Sequence, residues 1–167
     1  DLDTAETISI ETRRFPWADF LTIFVVPYLI GLIYLMVGLF VYLAQTARPA
    51  EKTFVRFCAL FAILTGSFFN IYTYHQFALI YTAAFPFLGA ALIDLGFVFP
   101  VKARLVRRYS WVRLVPYGVA LFLSAFGIIR LFNASPTAYF IPWRLTFVFV
   151  GTSILLFYAF LLTNWYI

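Results

Sequence analysis

Histidine, cysteine and methionine each occur once in this chain of 167 residues, and charged residues make up only 11% of it. A single cysteine, Cys58, excludes an internal disulfide and any multi-cysteine metal site, and inside an apolar segment it reads as a small packing residue. A single histidine excludes a four-helix haem site with paired histidine ligands within this chain. So little charge lies far below the roughly 25% of soluble domains, while the 64% of hydrophobic residues lies well above their roughly 45 to 50%. A soluble globular domain is therefore excluded, and the composition is that of an all-α integral membrane protein.

Other absences narrow the chemistry. No Ser, His and Asp arrangement, Walker loop, metalloprotease helix or paired-carboxylate site is visible, so the reading is of a chain that is not an enzyme and has no catalytic or metal-ligating residues. Five spans with one buried acid and no inverted repeat also suit a secondary transporter poorly.

Apolar runs and aromatic rings are abundant. Windows of about 20 residues, long enough for a hydrocarbon core of roughly 30 Å, fall near residues 18–45, 54–73, 77–99, 115–133 and 142–165. They predict a bundle of about five transmembrane helices over 17–167. Pro27 and Gly31 predict a bend or an early turn in the first helix. Twenty-two Phe, eleven Tyr and four Trp make ring packing between helices a major contact. Small residues recur where helices are expected to approach closely: Gly31 and Gly38, Gly89 and Gly96, then Ala120, Ser124 and Gly127.

The twelve basic residues orient the bundle. Arg48, Lys52 and Arg56 lie in one loop region and Lys102, Arg104, Arg107, Arg108 and Arg113 in another, both on the same side of the membrane, and short basic loops stay in the cytoplasm. The N-terminus is thus expected outside and the C-terminus inside. Tryptophan favours the interface, and Trp17 and Trp143 fall at the expected outer ends, Trp111 and Trp165 at the inner ends. The 22 residues from Trp143 to Trp165 rise roughly 33 Å as a helix, enough to join two interfacial belts. The net charge of +5 sits at segment edges, which favours anionic headgroups as partners over nucleic acid.

Before Trp17, residues 1–16 form an external segment. Ile8 and Ile10 alternate with polar neighbours, and a strand closing a β-rich external domain fits that pattern as well as a frayed tail does. The chain starts without Met or a signal peptide and stops at NWYI where a fifth helix leaves the membrane, so a longer polypeptide is expected.

Few residues invite a specific role. His75 offers one nitrogen to a pigment metal or one donor to a quinone carbonyl, while a solvated turn histidine is the commoner reading of such a position. Asp94 is the sharper case, because a carboxylate in an apolar span is costly and has a partner. Folding the second and third spans about Tyr74 puts Arg56 nearly level with Asp94, which predicts an Asp94–Arg56 pair, the alternative being that Asp94 reaches the interface or pairs with Arg104. On the outer side Arg130 and Arg144 come to similar depth and meet an anionic ligand or the acidic N-terminal segment, or, more simply, reach lipid phosphate by snorkelling. Arg104, Arg107 and Arg108 are placed against headgroups in the same way.

The order RRFPWADF, PYLIGLIYLMVGLFVY, ALIDLGFVFP and RRYSWVRLVPY resembles the membrane-embedded N-terminal input regions of bacterial multi-span sensors of the histidine-kinase type. Phe99 and Pro100 match the end of an apolar helix there, and Arg107, Arg108 and Trp111 match the basic segment that follows. Where many such regions carry His six residues before the Pro, this chain has Asp94. The resemblance implies a transmembrane sensor or membrane-anchoring input module of the bacterial inner membrane, with catalytic output on a part beyond this chain. The alternative is a structural or accessory subunit of a respiratory or photosynthetic complex, with pigment, quinone or lipid bound and with other subunits or a second copy as partners. No cofactor is required by the sequence.

Overall fold

The computed structural model describes residues 16–44, 49–99, 104–133, 135 and 137–165. Among them there is no strand. Residues 1–15, expected to form an external segment with a strand pattern around Ile8 and Ile10, lie outside the described residues. Five helices are long and apolar enough to cross a membrane: α1 (Trp17–Ala44), α2 (Pro49–Thr73), α3 (Ala78–Val98), α4 (Ser110–Leu131) and α5 (Phe140–Trp165). A short connecting helix, Arg104–Arg108, joins α3 to α4.

Local chemistry explains the boundaries. Pro49 opens α2, where its missing N–H costs nothing, and Glu51 puts a negative charge in the first turn. This start precedes the apolar window because the polar residues of the first turn still form helix. At the other end α2 closes through His75, the described non-glycine residue with positive φ (57°). The Asn70 carbonyl accepts from the amides of Tyr74 and His75, and its side-chain carbonyl accepts from Phe77, so three residues turn the chain into α3. Helix α3 stops at Phe99, which is extended (φ −121°, ψ 139°), as the residue before a proline is biased to be. Its successor α4 begins with a 3₁₀ segment, Ser110–Leu114, so Trp111 and Arg113 belong to the span, contrary to their expected place in the loop.

The expected bend at Pro27 takes another form. Helix α1 continues through Pro27 and Gly31, and the residues just before the proline, Leu21–Val25, widen into a π-turn. A proline ring crowds the carbonyl four residues back, here Ile23, and the wider turn makes room for it. Pro86 is likewise accommodated within α3.

Direction and packing follow from the closest approaches. A Cβ on Gly31 would meet Thr65, and one on Gly38 would lie 2.8 Å from the Cβ of Cys58, so α1 and α2 run antiparallel. Ser124 on α4 donates to the Ala83 carbonyl on α3, and Gly127 faces Thr82, again antiparallel. Gly89 faces Ser153 and Phe149, while Gly96 faces Phe157 and Phe160, so α3 and α5 run parallel. The five long described helices therefore alternate in direction along the chain. Helix α3 is the hub, packed on α2, α4 and α5, whereas α1 packs chiefly on α2. Small residues at these contacts let backbones approach where lipid supplies no hydrophobic drive between helices.

The connecting helix is pinned to this hub. Val106 is buried against Ile93 and Phe97 of α3, with Phe149 and Phe160 of α5 beside them, while Arg107 and Arg108 stay exposed.

A buried ion pair and a basic cavity as the candidate functional site

Asp94 sits in the last turns of α3, 1% exposed, with Ile93, Leu95 and Gly96 as buried chain neighbours. A carboxylate so placed must be met by donors on other helices. Its ion pair runs to Arg113 on α4: Nε lies 2.5 Å from Oδ1 and Nη2 lies 2.9 Å from Oδ2, a two-pronged contact. The Thr53 hydroxyl of α2 lies 3.1 Å from Oδ2 and accepts from Arg113 Nη2 at 3.1 Å. Tyr117, one turn after Arg113, donates to Oδ2 at 3.3 Å.

Thr53 has a single hydroxyl hydrogen and two acceptors at 3.1 Å, Asp94 Oδ2 and the Pro49 carbonyl. The charged oxygen is the stronger acceptor. An ionised carboxylate has about four acceptor positions, and Arg113, through its two nitrogens, Thr53 and Tyr117 bring four donors. The cluster thus ties α2, α3 and α4 together at one end of the bundle.

The carboxylate's partner is therefore Arg113, where depth matching along the hairpin had named Arg56. Depth says nothing about which way a side chain leaves its helix. Thr53 is the α2 residue that faces Asp94, fully buried, whereas Arg56 is exposed one turn on. Arg113 was missed because its basic neighbours made it read as a loop residue. Its spacing of four from Tyr117, just inside an apolar run nineteen residues after Asp94, is the signal that could have found it. Arg104, the alternative partner, lies in the connecting helix.

Arg56 nonetheless belongs to the same neighbourhood. Beside the ion pair opens a cavity of about 490 Å³ whose lining includes Lys52, Arg56, Arg113, Ser110, Trp111 and Tyr117. The positive charge of Arg56 faces the Tyr117 hydroxyl. Among the described residues Asp94 is the one carboxylate that lines this cavity, and its charge is matched by Arg113.

The opposite end carries a smaller polar contact. Thr82 of α3 and Tyr139, just before α5, share a hydrogen bond of 2.6 Å. Burial pushes the Tyr139 phenol up from its ordinary value, and the Thr82 contact works against that rise. The guanidinium groups of Arg130 and Arg144 each lie over a ring of their own helix, Phe126 at 5.5 Å and Phe140 at 4.6 Å. Both are exposed, as are Arg107 and Arg108, the latter over Tyr109 at 5.4 Å.

The remaining sequence-selected residues fall as follows. His75 is exposed in the α2–α3 turn, and among the described residues no group of three or more His, Cys, Asp and Glu side chains is placed to hold a metal. Trp17 and Trp143 lie at the end of the bundle where α1 and α5 begin. Trp111 opens α4 at the opposite end, where Trp165 also closes α5. Comparison of the chain with protein-family models, with curated proteins and with solved structures finds no match.

Proposed function

We propose that this chain is the membrane-embedded input module of a bacterial signal-transduction protein, resident in the inner membrane with its N-terminus outside and its C-terminus in the cytoplasm. The observation that carries the reading is the buried Asp94–Arg113 pair on the hub helix. A charged contact that ties three helices together is a discrete element that an external event can bias by breaking it. Displacement of α3 has a direct route onward, because Gly89 and Gly96 seat it closely on α5. The basic residues support the orientation: Lys52, Arg56, Arg107, Arg108 and Arg113 all lie at the end where α2 and α4 begin, which the positive-inside rule assigns to the cytoplasm. Output is then passed on through α5.

The test is the coding sequence downstream of Ile167, read together with the output of the intact protein. A dimerising helix pair with a phosphorylatable histidine, and a basal output altered by Asp94→Asn, support the module. A stop codon directly after Ile167 sinks it.

A second reading, an accessory subunit of a respiratory or photosynthetic complex, draws on α1. That helix packs chiefly on α2 and leaves Leu39, Phe40 and Leu43 exposed, a surface that lipid, another subunit or a second copy can cover. Co-purification with redox or pigment-bearing subunits after mild solubilisation favours this reading over the first.

A further inference from the structure

The cavity beside the ion pair has an unusual charge balance for the end of an apolar bundle. Three cationic side chains, Lys52, Arg56 and Arg113, line it together with Asp94. Asp94 and Arg113 cancel each other at 2.5 Å, which leaves the charges of Lys52 and of Arg56, the latter beside the neutral Tyr117 hydroxyl, unmatched along a cavity of about 490 Å³. That volume falls within the roughly 300–1,000 Å³ of small-ligand pockets. Both cations are exposed on α2, one turn apart, so they address the same side of the cavity. Across from them α4 supplies the Ser110 hydroxyl, the Trp111 ring and the apolar Leu114.

We propose that this cavity is a binding site for a phosphate-bearing anion, held between Lys52 and Arg56 on α2 and the start of α4. Two cations on one side satisfy the charge of a phosphate, and Ser110 adds a hydroxyl donor. The exposed Trp111 and Leu114 give the same cavity an apolar edge, along which the glycerol and first methylenes of a phospholipid fit. The chemistry is that of a phosphate group, which an anionic lipid headgroup and free phosphate share. The site depends on the cavity and its charges alone, and holds whether the chain senses a signal or scaffolds a complex.

The experiment uses the full chain in nanodiscs. In one arm the bilayer is phosphatidylcholine with increasing phosphatidylglycerol, and lipid retained on the released protein is counted by native mass spectrometry. In the other, pure phosphatidylcholine nanodiscs are titrated with inorganic phosphate and thermal unfolding is followed. Preferential retention of phosphatidylglycerol identifies a lipid headgroup as the source; a saturable phosphate-dependent rise in unfolding temperature identifies the free anion. At about 1 kcal/mol for each cation near the surface, the double substitution Lys52→Gln and Arg56→Gln weakens either effect about thirty-fold. The paired Lys52→Arg and Arg56→Lys variant keeps the charge and retains it. Arg130→Gln with Arg144→Gln, at the far end of the bundle, leaves it unchanged. Equal retention of both lipids with no response to phosphate overturns the proposal, and so does an equal loss in the Arg130 and Arg144 variant.

Discussion

Replacing Thr53 by valine keeps the shape of the side chain and removes the hydroxyl that Asp94 and Arg113 share. A hydrogen bond to a charged group contributes about 2 kcal/mol, so Thr53→Val is expected to lower the unfolding free energy in detergent micelles by about that much. Thr53→Ser, which restores the hydroxyl to a fully buried position, should lose well under half of it. Equal losses from the two substitutions would mean that packing, rather than the hydroxyl, matters at this position. The need for a partner to Asp94 was legible in the sequence, because ionisable groups in lipid are expensive. The partner's identity was not. Depth along a hairpin can be counted from residue numbers, but the direction in which a side chain leaves its helix depends on how the helices pack, and Thr53 rather than Arg56 faces the carboxylate.

Helix contacts depend on five glycines whose neighbours leave little room, and this separates them from three that are open. A Cβ on Gly38 would lie 2.8 Å from Cys58, and one on Gly127 would lie 2.7 Å from Thr82 Cγ2, while Gly66, Gly118 and Gly151 have nothing within 4 Å. Overpacking costs about 1–3 kcal/mol. Gly38→Ala and Gly127→Ala should therefore destabilise by that amount in denaturant titrations, with Gly31, Gly89 and Gly96 also at close approaches. Gly118→Ala and Gly151→Ala should be neutral or gain up to about 1 kcal/mol of helix propensity. Apolar length alone made the five spans readable, and most ends fall within a few residues of the observed ones. The starts of α2 and α4 were not, since Pro49–Thr53 and Ser110–Leu114 are too polar to register as membrane span yet still coil into helix. The π-turn at Leu21–Val25 was foreshadowed only by Pro27, which signals disturbance of a helix without saying what form it takes.

At the scale of the molecule, alternation of the five helices puts the α2–α3 turn and the connecting helix at opposite ends. Cys58, the single cysteine, is fully buried against Gly38, so single-cysteine variants can be labelled with little background. His75→Cys in intact cells should react with a membrane-impermeant maleimide, and Arg107→Cys should react only in inverted vesicles. The reverse pattern would turn the bundle over and remove the support that the basic end lends to a cytoplasmic output. The clearest test of the account as a whole is a double-mutant cycle on its polar centre, with unfolding free energy measured for Asp94→Asn, Arg113→Gln and the pair, and again with Arg56→Gln in place of Arg113→Gln. Removing one partner of a buried ion pair costs about 3–5 kcal/mol, so Asp94→Asn and Arg113→Gln should each destabilise strongly. Their combination should fall short of the sum by about 2 kcal/mol, while Arg56→Gln, which reaches the carboxylate only through Tyr117, should couple to Asp94→Asn more weakly than Arg113→Gln does. Additive losses for Asp94 and Arg113, with coupling to Arg56 instead, would contradict the ion pair on which the functional reading rests.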